Sequence, residues 1–222
     1  MRRYIYIGLL SVIALMGCTR HVSYPETILQ AEICMDAYPD SALHLLSNYG
    51  DSVDALPDEA QMYYHLLTIQ AKDKLYITHT DDSLINRIVR FYEKTDNPDR
   101  LMLAYYYQGS VYRDMNDAPR ALKAFQQVVD MNRNCPPSDL MARTYNQMGT
   151  LFAYQGLYDE SLEANRQAAR QFLLQTAPAR KRRFRTAAPP GNSRTPGASS
   201  RRSALPRRFP PLFPRRTPPP PE

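Results

Sequence analysis

AYYYQGSVYRDMNDAPRALKAFQQVV (residues 104–129) is followed 40 residues later by TYNQMGTLFAYQGLYDESLEANRQAA (residues 144–169), and the two align without a gap. Tyr105, Gly109, Tyr112, Ala121, Phe125 and Val128 fall on Tyr145, Gly149, Phe152, Ser161, Asn165 and Ala168. In each copy the first three and the last three stand at i, i+4 and i+7, the spacing of one helix face. Each copy therefore reads as two helices in a hairpin. Gly109 and Gly149 let the helices approach closely, Tyr112 and Phe152 fill the groove beside them, and small Ala121 and Ser161 meet the first helix from the second.

The same periodicity runs from Pro25 to Leu174, and strand-like alternation is scarce. Capping and first-turn residues at Pro39-Asp40-Ser41, Pro57-Asp58-Glu59, Asp81-Asp82-Ser83, Asn97-Pro98-Asp99 and Ser138-Asp139 divide the stretch. Eight helices are predicted, near 25–37, 40–49, 58–74, 82–94, 98–115, 118–132, 138–155 and 158–174. Two earlier pairs read as weaker copies. In one, Gln30 and Ile33 stand for Gly109 and Tyr112, with Ala42 and Leu46 in the second helix. In the other, Thr68 and Ala71 match, followed by Leu84 and Ile88. These hairpins resemble the tetratricopeptide repeat, whose period is about 34 residues. The longer linker Asn134–Asp139 accounts for the six additional residues. The expected fold is all-α, a tetratricopeptide-like α-α superhelix of about four hairpins with a disordered C-terminal tail.

The two ends of the chain are unlike its middle. Met1-Arg2-Arg3 is a basic start, Tyr4–Met16 is apolar, and Leu15-Met16-Gly17-Cys18 closes the run. These are the parts of a secretory signal, and the run is shorter than the roughly 20 residues a spanning helix needs. The ending resembles the lipobox of bacterial lipoproteins, which implies acylation of Cys18 as the first mature residue. Lipobox and divergent repeats together look like the tetratricopeptide lipoproteins of Bacteroidetes envelopes. The expected organisation is a signal peptide over 1–17, a lipidated tether over 18–24, the repeat domain over 25–174 and a tail over 175–222. No acidic cluster follows Cys18, so the expected location is the outer membrane, facing the periplasm.

Charge separates body from tail. Residues 18–175 hold 14 basic and 21 acidic residues, a net −7, whereas 176–222 hold 12 basic residues and one acid, a net +11. The tail also carries 12 of the 19 prolines, and its apolar residues have no period. Such a segment buries too little surface to offset chain entropy. It reads as a basic arm, as a proline-rich ligand, or, the favoured reading, as out-of-frame translation. The last draws on the abruptness of the change and on GC-rich codons: shifted by one frame, 175–184 can encode Asp-Ser-Thr-Gly-Ala-Glu-Ala-Ala-Leu, a helix start.

Catalytic chemistry has little to stand on, so no enzyme and no cofactor or metal is expected. His21, His44, His65 and His79 show no i, i+4 pair, and no phosphate loop, nucleophile elbow or cysteine cluster occurs. Asp81-Asp82 and Asp159-Glu160 sit at helix starts, where they complement the dipole. Cys34 and Cys135 read as separate thiols. The leading expectation is a lipid-anchored scaffold that binds a protein or peptide partner, with no nucleic acid. The alternative is the stub of a signal-transduction sensor whose output domain is missing. The resemblance puts the binding surface on the first helix of each pair: Leu103, Tyr106, Ser110, Arg113 and Asp114, then Arg143, Asn146, Thr150 and Tyr154. Tyr106 and Ser110 replace the Lys and Asn of the family's carboxylate clamp, so that clamp is not supported.

Overall fold

The computed structural model describes residues 23–132 and 138–176. The expected signal peptide over 1–17, Cys18 and most of the expected tether over 18–24 lie outside the described residues, as do Cys135 with residues 133–137 and the chain from 177. Among the described residues eight α-helices form, in chain order: α1 (Glu26–Cys34), α2 (Pro39–Tyr49), α3 (Asp58–Lys74), α4 (Ser83–Tyr92), α5 (Pro98–Asp114), α6 (Ala118–Met131), α7 (Asp139–Tyr154) and α8 (Tyr158–Thr176). Among the described residues there is no strand. The chain divides into two compact units, one up to Ala71 and one from Lys72.

In the first unit α1 packs on α2. Ile28, Ala31, Met35, Ala42, Leu46, Val53, Tyr63, Tyr64 and Leu67 form its core. Two tyrosines satisfy their hydroxyls at its margins. Tyr64 donates to the Leu46 carbonyl at 3.0 Å, and Tyr24 donates to Glu59 Oε1 at 2.9 Å. A 3-10 turn over Gly50–Ala55, which periodicity did not predict, joins α2 to α3. Gln61 Nε2 closes it by donating to the Leu56 carbonyl at 2.8 Å, so an otherwise unpaired helix-end acceptor is satisfied. The register read on Gln30 and Ile33 is corrected: both are exposed, and Ala31 is the small buried residue of α1. Cys34 is half-buried with a free thiol.

In the second unit each helix packs on the next from α4 to α8, and α5 also touches α7. The first helices of successive hairpins are therefore neighbours. Their starts follow from sequence. Asn97, Asp117 and Ser138 each accept a hydrogen bond from the backbone N–H three residues on, at 3.2, 3.0 and 3.3 Å. Pro98 and Pro119 occupy the first turn, where a missing N–H costs nothing. Arg120 ties two starts together, pairing with Asp117 at 2.6 Å and with Asp82 at 2.8 Å. Tyr107, Phe125, Val128, Met148 and Phe152 are essentially inaccessible. Burying a side chain of this size contributes about 1.5–3 kcal/mol.

The helix ends reveal a third copy of the 40-residue repeat. Asp117 N–H donates to the Tyr112 carbonyl, Leu157 to Phe152 and Ile77 to Lys72, each at 2.9 Å. The residue before each donor has a left-handed backbone: Asn116 at φ 59°, Gly156 at 74° and Tyr76 at 57°. Such a residue closes a helix by satisfying its last carbonyls. The three turns stand 40 residues apart, so Lys72 is the equivalent of Tyr112. The match read on Thr68 and Ala71 is thereby corrected by one residue, to Ile69 and Lys72.

Candidate functional site

Residue 113 carries the polar chemistry of the second unit. Its equivalent one repeat earlier is Asp73, at the end of α3. Arg113 Nη2 reaches Asp73 Oδ1 at 2.9 Å and Asp114 Oδ1 at 2.7 Å. Its Nη1 donates to Gln147 Oε1 on α7 at 3.0 Å. One planar guanidinium, with donors in a rigid fork, thus fastens the ends of α3 and α5 to the middle of α7. Asp114 has a second partner in the loop after α3. His79 Nδ1 lies 2.9 Å from Asp114 Oδ2, and the His79 backbone N–H donates to the same oxygen at 3.1 Å.

Burial works to raise the Asp114 carboxyl, but hydrogen bonds from the His79 ring, Arg113 and the His79 backbone outweigh it and bring it to about 2. Burial likewise works against charge on Arg113, and Asp114 and Asp73 more than compensate, so the guanidinium is held charged. A carboxylate on the imidazole Nδ1 is the orienting half of a general-base pair. Here His79 Nε2 is buried and no group takes it up, so the pair has no access to a dissolved substrate. The cluster is a brace. Among the described residues no group of three or more His, Cys, Asp or Glu could hold a metal, and no helix is long and apolar enough to cross a membrane.

The structure separates the expected surface residues into two layers. Tyr106 and Ser110 are buried, which corrects the expectation that they face a partner. The Tyr106 ring packs edge-on against Tyr107 at 5.0 Å and tilted against Phe125 at 5.7 Å, and the Ser110 hydroxyl has no hydrogen-bond partner. Desolvation raises both the Tyr106 and the Tyr107 phenol, as expected of rings used for packing. Above them lie the guanidiniums. Arg143 stands 5.5 Å from the Tyr106 ring centre and pairs with Asp139 at 2.8 Å, and Arg113 is held by its carboxylates. Asn146, Thr150 and Tyr154 are exposed. Their four-residue spacing places them in one row along α7, with Arg143 at its start. The Thr150 hydroxyl donates to the Asn146 carbonyl at 3.1 Å. Leu103 is half-buried.

Sequence reading missed His79, Asp73 and Gln147. The 40-residue offset was the signal that could have placed Asp73 opposite Arg113; nothing in the sequence marks His79. Residues 100–173, which run from α5 into α8, match the family model described as tetratricopeptide repeat. No curated protein matches the chain. The hairpins of this segment are tetratricopeptide-like, and repeats of this kind suggest a protein–protein interaction scaffold.

Proposed function

We propose that the chain is a cell-envelope lipoprotein, anchored through Cys18 in the outer membrane and facing the periplasm, whose repeats bind an extended peptide segment of a protein partner. The peptide lies along α7 and is read by Arg143, Asn146, Thr150 and Tyr154, with Arg113 at the edge. The supporting observation is the row of exposed amide, hydroxyl and phenol groups on one helix face above a braced layer. A preorganised surface loses little side-chain entropy on binding. Tyr154 supplies contact area, and Asn146 and Arg143 supply orientation. The lipid reading rests on Leu15-Met16-Gly17-Cys18 after the apolar run. It looks like the tetratricopeptide lipoproteins of Bacteroidetes.

The binding test is selection of peptides from a display library on the full chain, followed by titration against variants. Asn146→Ala and Tyr154→Ala each weaken a selected peptide about tenfold or more, as central contacts do. Lys123→Ala, exposed on α6, has no effect. Selected peptides that ignore the α7 changes rule the surface out. For the anchor, palmitate labels the parent and not Cys18→Ala; an unlabelled parent rejects it.

A further inference from the structure

Arg113 and Arg143 are the two cations of the proposed surface, and both are already matched. Arg143 pairs with Asp139 at 2.8 Å, and Arg113 pairs with Asp73 and Asp114 at 2.9 and 2.7 Å. A peptide carboxylate that drew either cation to itself would leave a carboxylate of this chain behind. At Arg113 two would be left, each with a side chain only 13% exposed, where an unpaired charge is costly. At Arg143 the exchange replaces one solvated carboxylate, Asp139 at 67% exposed, by another, with no net gain. The reverse sign fares no better. A peptide ammonium that took Asp139 would strand Arg143, and Asp114 already spends its other oxygen on His79. A charged peptide side chain therefore finds no partner in these groups that is not already in use.

What remains to bind is uncharged. At 100° per residue Arg143, Thr150 and Tyr154 fall within about 40° of one another around α7, with Asn146 about 40° beyond Thr150. Asn146 presents a primary amide, whose N–H and C=O match those of one peptide unit. The Thr150 hydroxyl gives its hydrogen to the Asn146 backbone carbonyl, so its oxygen is left to accept a peptide N–H. The Tyr154 ring, 82% exposed, offers flat apolar area to one side chain. Arg143 has five N–H donors, so it serves a peptide carbonyl without leaving Asp139. From Asn146 to Tyr154 is about 12 Å along the helix, the length of about four extended residues. We infer that the partner segment is an internal, uncharged stretch of about that length, held by its backbone on Asn146 and Thr150 and by one apolar side chain on Tyr154. Neither a terminal carboxylate nor an acidic or basic side chain enters the contact. The inference rests on the α7 surface proposed above and names what that surface takes.

The experiment is titration of a peptide selected on the full chain, made as the free acid and as the C-terminal amide, against the parent and Asp139→Asn. The two forms bind the parent within about twofold of each other. Raising sodium chloride from ~0.05 to ~0.5 M changes the affinity less than about twofold, because no charge pair is there to be screened. Glutamate scanned through the peptide weakens binding about tenfold at the contact positions. Asp139→Asn, whose circular dichroism is unchanged, releases Arg143 to the peptide, and a glutamate peptide regains about tenfold on it. A peptide that is lost on Asn146→Ala and Tyr154→Ala, yet needs its terminal carboxylate or weakens steeply with salt, overturns the inference and keeps the surface. So does a peptide into which glutamate enters anywhere without loss. Glutamate peptides that gain nothing on Asp139→Asn overturn the claim that pairing closes Arg143 to acids. A peptide indifferent to both Asn146→Ala and Tyr154→Ala removes the surface itself, and the inference with it.

Discussion

The Phe125 ring of α6 lies directly on Gly109 of α5: a Cβ built on that glycine would stand 2.5 Å from Phe125 Cε1. Forty residues later Gly149 meets Asn165 in the same way, with Oδ1 at 2.7 Å from the equivalent point. At both sites the hairpin closes with backbone against side chain, leaving less room than a Cβ needs unless the partner side chain moves. The two partners differ in how they can respond. Phe125 is fully buried among Tyr106, Val128 and their neighbours, whereas Asn165 is exposed and ends in a rotatable amide.

Gly109→Ala therefore costs stability despite its better helix propensity. Overpacking of this kind costs about 1–3 kcal/mol, against at most about 1 kcal/mol gained by replacing glycine in a helix. Gly149→Ala stays within about 0.5 kcal/mol of the parent, because Asn165 swings aside and the propensity gain offsets the strain. Urea unfolding midpoints of the two variants decide this. Equal losses at both sites would mean that the Phe125 contact is no tighter than the Asn165 one.

Arg113→Ala removes the one side chain that touches Asp73, Asp114 and Gln147 together. It leaves two carboxylates without their cation, a change that costs about 3–5 kcal/mol for fully buried pairs. Arg113 keeps some solvent access, so the expected loss is about 2 kcal/mol. Arg113→Lys recovers part of it, since a single ammonium cannot reproduce the fork. A double-mutant cycle with Asp73→Asn should show coupling, and strict additivity would mean the brace is not a unit.

The depressed Asp114 carboxyl makes a pH statement. Its folded value is about 2, below the ordinary carboxylate value that the unfolded chain has. The stability it supplies is therefore fully present above the unfolded value, near pH 4, and is lost as pH falls through about 2. Asp114→Asn is less stable than the parent at neutral pH and shows a shallower decline over that interval. Melting temperatures from pH 5 to 2 measure the slope directly.

Tyr76 holds a left-handed backbone at φ 57° with its ring almost fully exposed. Only glycine adopts that conformation without steric cost, and the cost for other residues is about 1–2 kcal/mol. Tyr76→Gly is therefore stabilising, by about 1 kcal/mol or less once the entropy of the unfolded glycine is counted. Gly156, at the equivalent turn, supplies the complementary test: Gly156→Tyr destabilises. Equal stability of Tyr76→Gly and the parent would show that the ring has a compensating contact.

Much of this fold was legible in the chain. Asn97 and Ser138 marked helix starts because their side chains cap free N–H groups, and apolar periodicity marked much of the rest, whereas the equivalent cap at Asp117 was not read. The tight hairpins were legible in Gly109 and Gly149. The register of the earlier copies was not. Tyr76 occupies a position where glycine or asparagine would have announced the turn, and Ala31 differs from Gly109 by one residue in alignment and by a methyl group in chemistry. The site was half legible. A helix face predicts which residues share a side, so Asn146, Thr150 and Tyr154 came out together. It does not tell floor from rim: Tyr106 fell to the floor, packed against the Tyr107 and Phe125 rings, and Ser110 is buried with it. The brace of His79, Asp114, Arg113, Asp73 and Gln147 joins a loop to three helices over long separations, and no local pattern encodes that.

The central claim is that the exposed row of α7 holds the partner peptide. A photoreactive residue placed at Thr150 of the full chain, with a selected peptide bound, tests it most directly. Cross-linking at 150 that is abolished by unlabelled peptide, together with none from the same probe at Lys123, is the expected result. Cross-linking at 123 and none at 150 would place the peptide elsewhere and contradict the account.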